Sequence, residues 1–72
     1  MHDLSRDGTR IASGGFSLFV TDSDGGIPRR IEGAGDVAFY PRWSEDGSAL
    51  LYRSLDGLYQ IGTDPGDAPV PV

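Results

Sequence analysis

The sequence predicts an all-β protein of antiparallel strands, and three observations lead to this prediction. No stretch free of both glycine and proline exceeds nine residues, whereas a globular helix usually needs about 10–12. Short apolar runs alternate with turn signals rich in Gly, Pro, Asp and Ser. Much of the chain also occurs twice, because residues 4–12 match residues 43–51 at a spacing of 39 residues. The chain therefore consists of two related halves.

The repeated segment begins with a turn signal. Each copy reads apolar residue, Ser, charged residue, Asp and Gly, then two variable residues and an apolar pair. In a type I turn, Ser and Asp side chains bond to nearby backbone groups, and a following glycine adopts positive φ without a Cβ clash. We therefore predict two hairpin turns, each leading into a buried strand. Their residues are Ser5, Asp7 and Gly8 in the first copy, and Ser44, Asp46 and Gly47 in the second.

The remaining elements follow in chain order. Predicted strands of the first copy span 10–13, 17–21 and 27–31; those of the second span 36–44, 49–52 and 58–61, with a weak last strand in the Pro-rich segment 63–72. Pro41 lacks an N–H, so we expect it at a bulge or where no neighbour needs a donor. The recurring apolar positions predict a core that contains Trp43, Leu50, Tyr52 and Ile61.

Charge and composition exclude several classes of partner. Eleven acidic residues against six arginines give a net charge of −5, which argues against nonspecific nucleic-acid binding and against an anionic membrane surface. The chain has no cysteine, so disulfides and thiolate metal sites are excluded. Neither a signal-peptide pattern nor a membrane-spanning apolar run is present. We expect no nucleic-acid partner and no membrane insertion. The compartment is cytoplasmic if the chain is complete as given, and periplasmic if a longer parent carries a signal peptide.

Asp22 and Asp24 are the only candidates for a metal site. Two carboxylates separated by one residue before glycines are typical of calcium loops, in which alternate oxygens face one ion. Glu32 is too near to serve as the closing ligand, and the turn chemistry favours a solvated connection. We therefore predict no metal and no cofactor. A small acidic calcium-binding module is kept as an alternative.

No catalytic residue is predicted. His2 is the only histidine, and so near a terminus we expect it to be solvated. The chain has no G-x-S-x-G segment and no internal histidine to pair with a serine. These observations predict a protein that is not an enzyme.

A period near 40 residues with four short strands is typical of β-propeller blades. The segment 41–52, Pro-Arg-Trp-Ser-Glu-Asp-Gly-Ser-Ala-Leu-Leu-Tyr, followed by Leu58 and Tyr59, resembles the WD-like repeat of TolB-type propeller proteins. That family typically reads Pro-x-Trp-Ser-Pro-Asp-Gly, an apolar strand, Ile-Tyr, and an Asp-Gly turn with an Arg-Leu-Thr ending. Departures from this pattern are Arg6 and Glu45 in place of Pro, Leu4 in place of Trp, and Glu32 in place of Thr.

The resemblance implies one structural unit of about two four-stranded antiparallel blades. Residues 1–34 form an incomplete first blade, which holds only strands two to four when counted from Arg10, and residues 35–72 form a second blade with a weak last strand. Propellers close with about four to eight blades, so two are too few. We expect either a fragment of a longer bacterial propeller or copies that associate into a ring, and we prefer the fragment.

The resemblance also implies a function. TolB-like propellers are generally binding scaffolds in the bacterial envelope, so we expect a non-catalytic module with a protein partner, or self-association through blade faces. An alternative is the propeller portion of a larger serine peptidase of the prolyl oligopeptidase type, whose catalytic domain is absent here.

Overall fold

A computed structural model describes residues 1–72, and it confirms an all-β protein with two antiparallel four-stranded sheets. The strands are β1 (His2–Leu4), β2 (Arg10–Ser13), β3 (Phe19–Asp22), β4 (Arg29–Arg30), β5 (Phe39–Trp43), β6 (Ala49–Ser54), β7 (Gly57–Gly62) and β8 (Val70–Pro71). The first sheet has the order β1-β2-β3-β4 and the second β5-β6-β7-β8, so every strand pairs with its neighbours along the chain. The single helical segment is a three-residue 3₁₀ turn, Glu32–Ala34, and no helix is suited to crossing a membrane.

The first sheet has four strands, which corrects the three counted from Arg10. His2–Leu4 precedes the first hairpin turn and pairs with β2 in the register His2–Ser13, Asp3–Ala12 and Leu4–Ile11. The turn reverses the chain and thereby brings the preceding backbone alongside β2. Sequence analysis did not predict this strand, because it has only three residues and because Leu4 stands where the second repeat has Trp43.

Pro41 lies at an irregularity in β5, as predicted. The register between β5 and β6 shifts between Phe39 and Arg42, and Tyr40, just before the proline, has a positive φ of 54°. Positive φ is uncommon for residues with a Cβ. The bulge places Pro41 where its missing N–H costs no ladder bond. The last strand, β8, has only two residues, in a segment that contains three prolines.

The core lies between the two sheets. Its nine buried residues are Ala12, Leu18, Val20, Ile31, Ala34, Ala38, Leu50, Tyr52 and Ile61. Leu50, Tyr52 and Ile61 therefore occupy the core, as predicted, whereas Trp43 and Tyr59 are half-buried and pack against its edge. The rings of Tyr52 and Tyr59, which are paired across β6 and β7, stack with centroids 6.0 Å apart. The two halves thus share one core.

Candidate interaction surface

The first hairpin turn is held by a network centred on Asp7. Its Oδ1 accepts hydrogen bonds from Ser5 Oγ at 2.8 Å, from the Thr9 backbone N–H at 3.0 Å and from Thr9 Oγ1 at 2.7 Å. Ser5 Oγ in turn accepts a bond from the Arg10 N–H at 3.0 Å. Gly8 closes the turn with φ +77°, a conformation that glycine adopts without a Cβ clash. The repeated residues of this segment therefore shape a turn.

The second turn reproduces this network around Asp46. Its Oδ1 accepts bonds from Ser44 Oγ at 2.8 Å, from the Ser48 N–H at 3.0 Å and from Ser48 Oγ at 2.7 Å. The Ala49 N–H donates to Ser44 Oγ at 3.1 Å, and Gly47 has φ +74°. At positions 9 and 48, which appeared variable, Thr and Ser both supply a hydroxyl group that completes this network.

Hydrogen bonding keeps both aspartates ionised. Bonds from the Thr9 side chain and N–H, and then from Ser5, lower the pKa of Asp7 to about 2. The equivalent bonds from Ser48 and Ser44 lower the pKa of Asp46 to about 2. A carboxylate that accepts several such bonds favours its charged form. Both groups are therefore engaged as turn anchors at neutral pH.

Arg10 and Asp3 connect the two sheets through Trp43. The Arg10 guanidinium donates to the Gly47 carbonyl and lies 4.4 Å from the centroid of the Trp43 ring. The Trp43 Nε1–H donates to the Asp3 carbonyl at 3.1 Å, and the Trp43 backbone N–H donates to Asp3 Oδ2 at 2.9 Å. Sequence analysis did not identify either residue. The repeats differ at both positions, with Arg42 in place of Asp3 and Ala49 in place of Arg10, and nothing in the pattern linked these differences to Trp43.

An ion pair joins the tips of the two turns. Arg6 Nη1 lies 3.5 Å from Glu45 Oε1, and both side chains are exposed. These residues occupy the same position of the two repeats. Exposed pairs of this kind contribute about 0–1 kcal/mol, so this pair adds little to stability.

Each sheet has one face in the core and one face without a partner. Side chains alternate along a strand, so residues paired across strands share a face. The first open face, on β1–β3, consists of His2, Leu4, Ile11, Ser13, Phe19 and Thr21. The second open face, on β5–β7, consists of Phe39, Arg42, Leu51, Arg53, Leu58 and Gln60.

Shallow grooves and exposed apolar atoms mark the second open face. Two grooves of about 250 and 230 Å³ lie here and share Arg42 and Leu51. Leu58 is 49% exposed, whereas Leu18, forty residues earlier at the same repeat position, is fully buried against the core. The same repeat position is thus covered in one sheet and uncovered in the other.

The calcium candidates Asp22 and Asp24 are exposed, at the end of β3 and in the turn that follows. The Gly25 N–H donates to the Asp22 carbonyl at 3.1 Å, and Ser23 Oγ donates to the Gly8 carbonyl at 2.6 Å. No group of three or more His, Cys, Asp or Glu side chains is placed to hold a metal ion. The calcium alternative therefore rests on these two carboxylates and the neighbouring backbone oxygens.

The largest cavity, about 620 Å³, lies between the 3₁₀ turn at Glu32–Ala34 and the turn formed by residues 64–67. Asp64, Pro65, Gly66 and Asp67 form a type II turn, since Gly66 has φ +89° and the Asp67 N–H donates to the Asp64 carbonyl. Charges of both signs line the cavity, and every buried polar side-chain atom of the protein has a partner. This opening offers no focused set of groups for one ligand.

Comparison of the chain with protein-family models, with curated proteins and with solved structures found no match.

Proposed function

We propose that this chain is a non-catalytic module of two β-propeller blades, of the TolB-like kind, which acts as a scaffold for protein–protein contact through the open faces of its sheets. The observation that carries the proposal is the pair Leu18 and Leu58. These leucines occupy the same repeat position, yet one is fully buried and the other is 49% exposed. An exposed leucine at a position that is buried in the other repeat indicates that its face packs against another surface.

The packing inside the chain supports this proposal. Ala12 and Val20 of the first sheet face Leu50 and Ile61 of the second, and all four are buried. In a repeat array, each unit buries its faces against its neighbours, and stability is a sum of unit and interface terms. An array of two units leaves one face of each unit uncovered. The open faces are therefore the surfaces through which the module works.

The residues that recur in both repeats also support a scaffold. Ser5, Asp7 and Gly8, like Ser44, Asp46 and Gly47, are engaged in holding turns. The residues shared by the two repeats therefore hold the turns that join the strands, which leaves the open faces of the sheets for contact with a partner.

A tandem chain tests the proposal. Two copies are joined by six Gly/Ser residues, so that Val72, the linker and Met1 match the eight residues, 31–38, between β4 and β5. We expect a higher unfolding midpoint for the tandem than for the single chain at the lowest measurable concentration, because a new interface is buried. Equal midpoints would contradict the proposal.

The tandem also offers a matched control. Gln60→Arg in the first copy places a charge at the new interface and should abolish the stabilisation. In a tandem that stays open, the same substitution in the second copy lies on an uncovered face and leaves the midpoint unchanged; in one that closes into a four-sheet ring, it lowers the midpoint as well. If the substitution in the first copy leaves the stabilisation intact, the added copy does not pack on the second open face.

A further inference from the structure

We propose that the partner of the second open face is the first open face of another copy of this chain, so that copies associate head to tail. This inference rests on the proposed function and adds the identity of the partner. Its contact would place Glu45 of one copy beside Arg6 of the next. The following observations lead to it.

The two open faces are equivalent, by repeat position, to the two sides of the junction that is already covered within the chain. The covered junction joins Ala12 and Val20 to Leu50 and Ile61. By repeat position, Ala12 and Val20 correspond to Leu51 and Gln60, which lie on the second open face. Leu50 and Ile61 correspond to Ile11 and Thr21, which lie on the first open face. The faces therefore match as consecutive members of an array match.

Charge supports the same orientation. Inside the chain, Arg6 of the first repeat lies 3.5 Å from Glu45 of the second. If the second repeat of one copy packs on the first repeat of the next as the two repeats pack within one chain, Glu45 of one copy lies opposite Arg6 of the next. This contact again pairs opposite charges. Packing the second open face against itself would instead bring Arg42 and Arg53 towards the same arginines of the other copy. Like charges at an interface disfavour such an arrangement.

The apolar groups at the edge of the junction are also compatible. Trp43 packs beside Asp3 and Arg10 in the covered junction. At the proposed contact, Leu4 takes the position of Trp43, and it is 56% exposed in the single chain. Arg42 and Ala49 take the positions of Asp3 and Arg10. Leu4, which has no indole N–H to donate, would thus pack against the aliphatic stem of Arg42 and the methyl group of Ala49.

A contact between two different faces repeats from copy to copy, so it gives a ring if the rotation closes and a filament otherwise. With two sheets in each chain, two to four copies supply the roughly four to eight blades of known propellers. We therefore expect a closed ring of two to four copies.

Two variants, each with one open face blocked, test the contact. Thr21→Arg blocks the first open face and Gln60→Arg blocks the second; their equivalents in the covered junction, Ile61 and Val20, are 1% and 7% exposed. An arginine buried there without a partner disfavours association. By sedimentation velocity, we expect a discrete wild-type oligomer, a monomer for each variant alone, and a one-to-one heterodimer when they are mixed. The heterodimer forms because each variant retains the face that the other lacks.

Thr21→Ser and Gln60→Asn are the conservative controls, and we expect both to assemble like the wild type. Circular dichroism establishes that the arginine variants are folded. A wild-type chain that stays monomeric at all accessible concentrations overturns the inference. So does a mixture without heterodimers, or a Thr21→Arg chain that still assembles alone, because both indicate that like faces meet. If the tandem chain is stabilised but separate chains do not associate, the proposed function stands and this inference fails.

Charge reversal at the exposed turn tips gives a second test that leaves the sheets unaltered. Arg6→Glu and Glu45→Arg each create like charges at the contact, and we expect each to weaken assembly by about two- to fivefold. Mixing the two variants restores opposite charges wherever unlike copies meet, and should therefore restore assembly relative to either variant alone. No recovery on mixing would show that positions 6 and 45 of different copies do not meet.

Discussion

The guanidinium of Arg10 lies 4.4 Å from the centre of the Trp43 ring, although the two residues stand 33 positions apart in the sequence and in different sheets. Arg10 also donates to the Gly47 carbonyl, and Trp43 donates to the Asp3 carbonyl at 3.1 Å. Cation–π contacts contribute about 0.5–2 kcal/mol, depending on how far water is excluded. This cluster therefore joins the first sheet to the second turn.

Trp43→Ala should lower the free energy of unfolding by about 3 kcal/mol, near the lower end for a tryptophan because the ring is only half-buried. Urea unfolding followed by circular dichroism measures it. Trp43→Phe is the matched control: it keeps a ring for Arg10 but loses the indole N–H, and we expect a loss of about 1 kcal/mol. A neutral Trp43→Ala would show that this junction does not contribute to stability.

Gly47→Ala should destabilise the protein more than Gly8→Ala. Both glycines have similar positive φ, so each alanine costs about 1–2 kcal/mol in backbone strain. A Cβ on Gly47 would come within 2.8 Å of the Arg10 guanidinium, whereas one on Gly8 meets nothing within 4 Å. We expect an additional loss of about 1 kcal/mol at Gly47 in thermal or urea unfolding. In an Arg10→Ala background the two glycine variants should become equal, and a persisting difference would exclude Arg10 as its cause.

Acid should destabilise the chain through Asp7 and Asp46. Their pKa values of about 2 lie below the ordinary value of 3.8, so the folded state binds these two protons less tightly than the unfolded state. The stability they contribute is fully present above pH of about 4 and is lost as the pH falls towards about 2. Melting temperatures between pH 6 and 2 measure this effect. Asp7→Asn and Asp46→Asn should each flatten the decline, and an unchanged acid profile would contradict this assignment.

Calcium should produce neither heat in calorimetry nor a shift in melting temperature at millimolar concentration, because Asp22 and Asp24 are exposed and no third carboxylate is close enough to complete a site. Asp22→Asn/Asp24→Asn is the control. Binding that disappears in this double variant would establish the calcium-binding alternative.

Local sequence was sufficient to predict most of the strands. The Ser-x-Asp-Gly turns specify their own hydrogen bonds, since donors and acceptors lie within five residues of one another. The strand predicted at 10–13 coincides with β2, and Pro41 lies at a bulge because its chemistry forbids a donor. The strand at His2–Leu4 was missed because three residues carry too little periodicity to distinguish it.

The sequence by itself therefore determined the all-β class, the hairpin turns and the apolar positions of the core, because these depend on local backbone chemistry and on the repeat. Only the tertiary structure decided which face of each sheet is covered. Leu18 and Leu58 are the same residue at the same repeat position, and only the position of the neighbouring sheet makes one buried and the other exposed. The contacts of Arg10, Asp3 and Trp43 were likewise decided by packing, because groups 33 to 40 residues apart meet only after both sheets have formed.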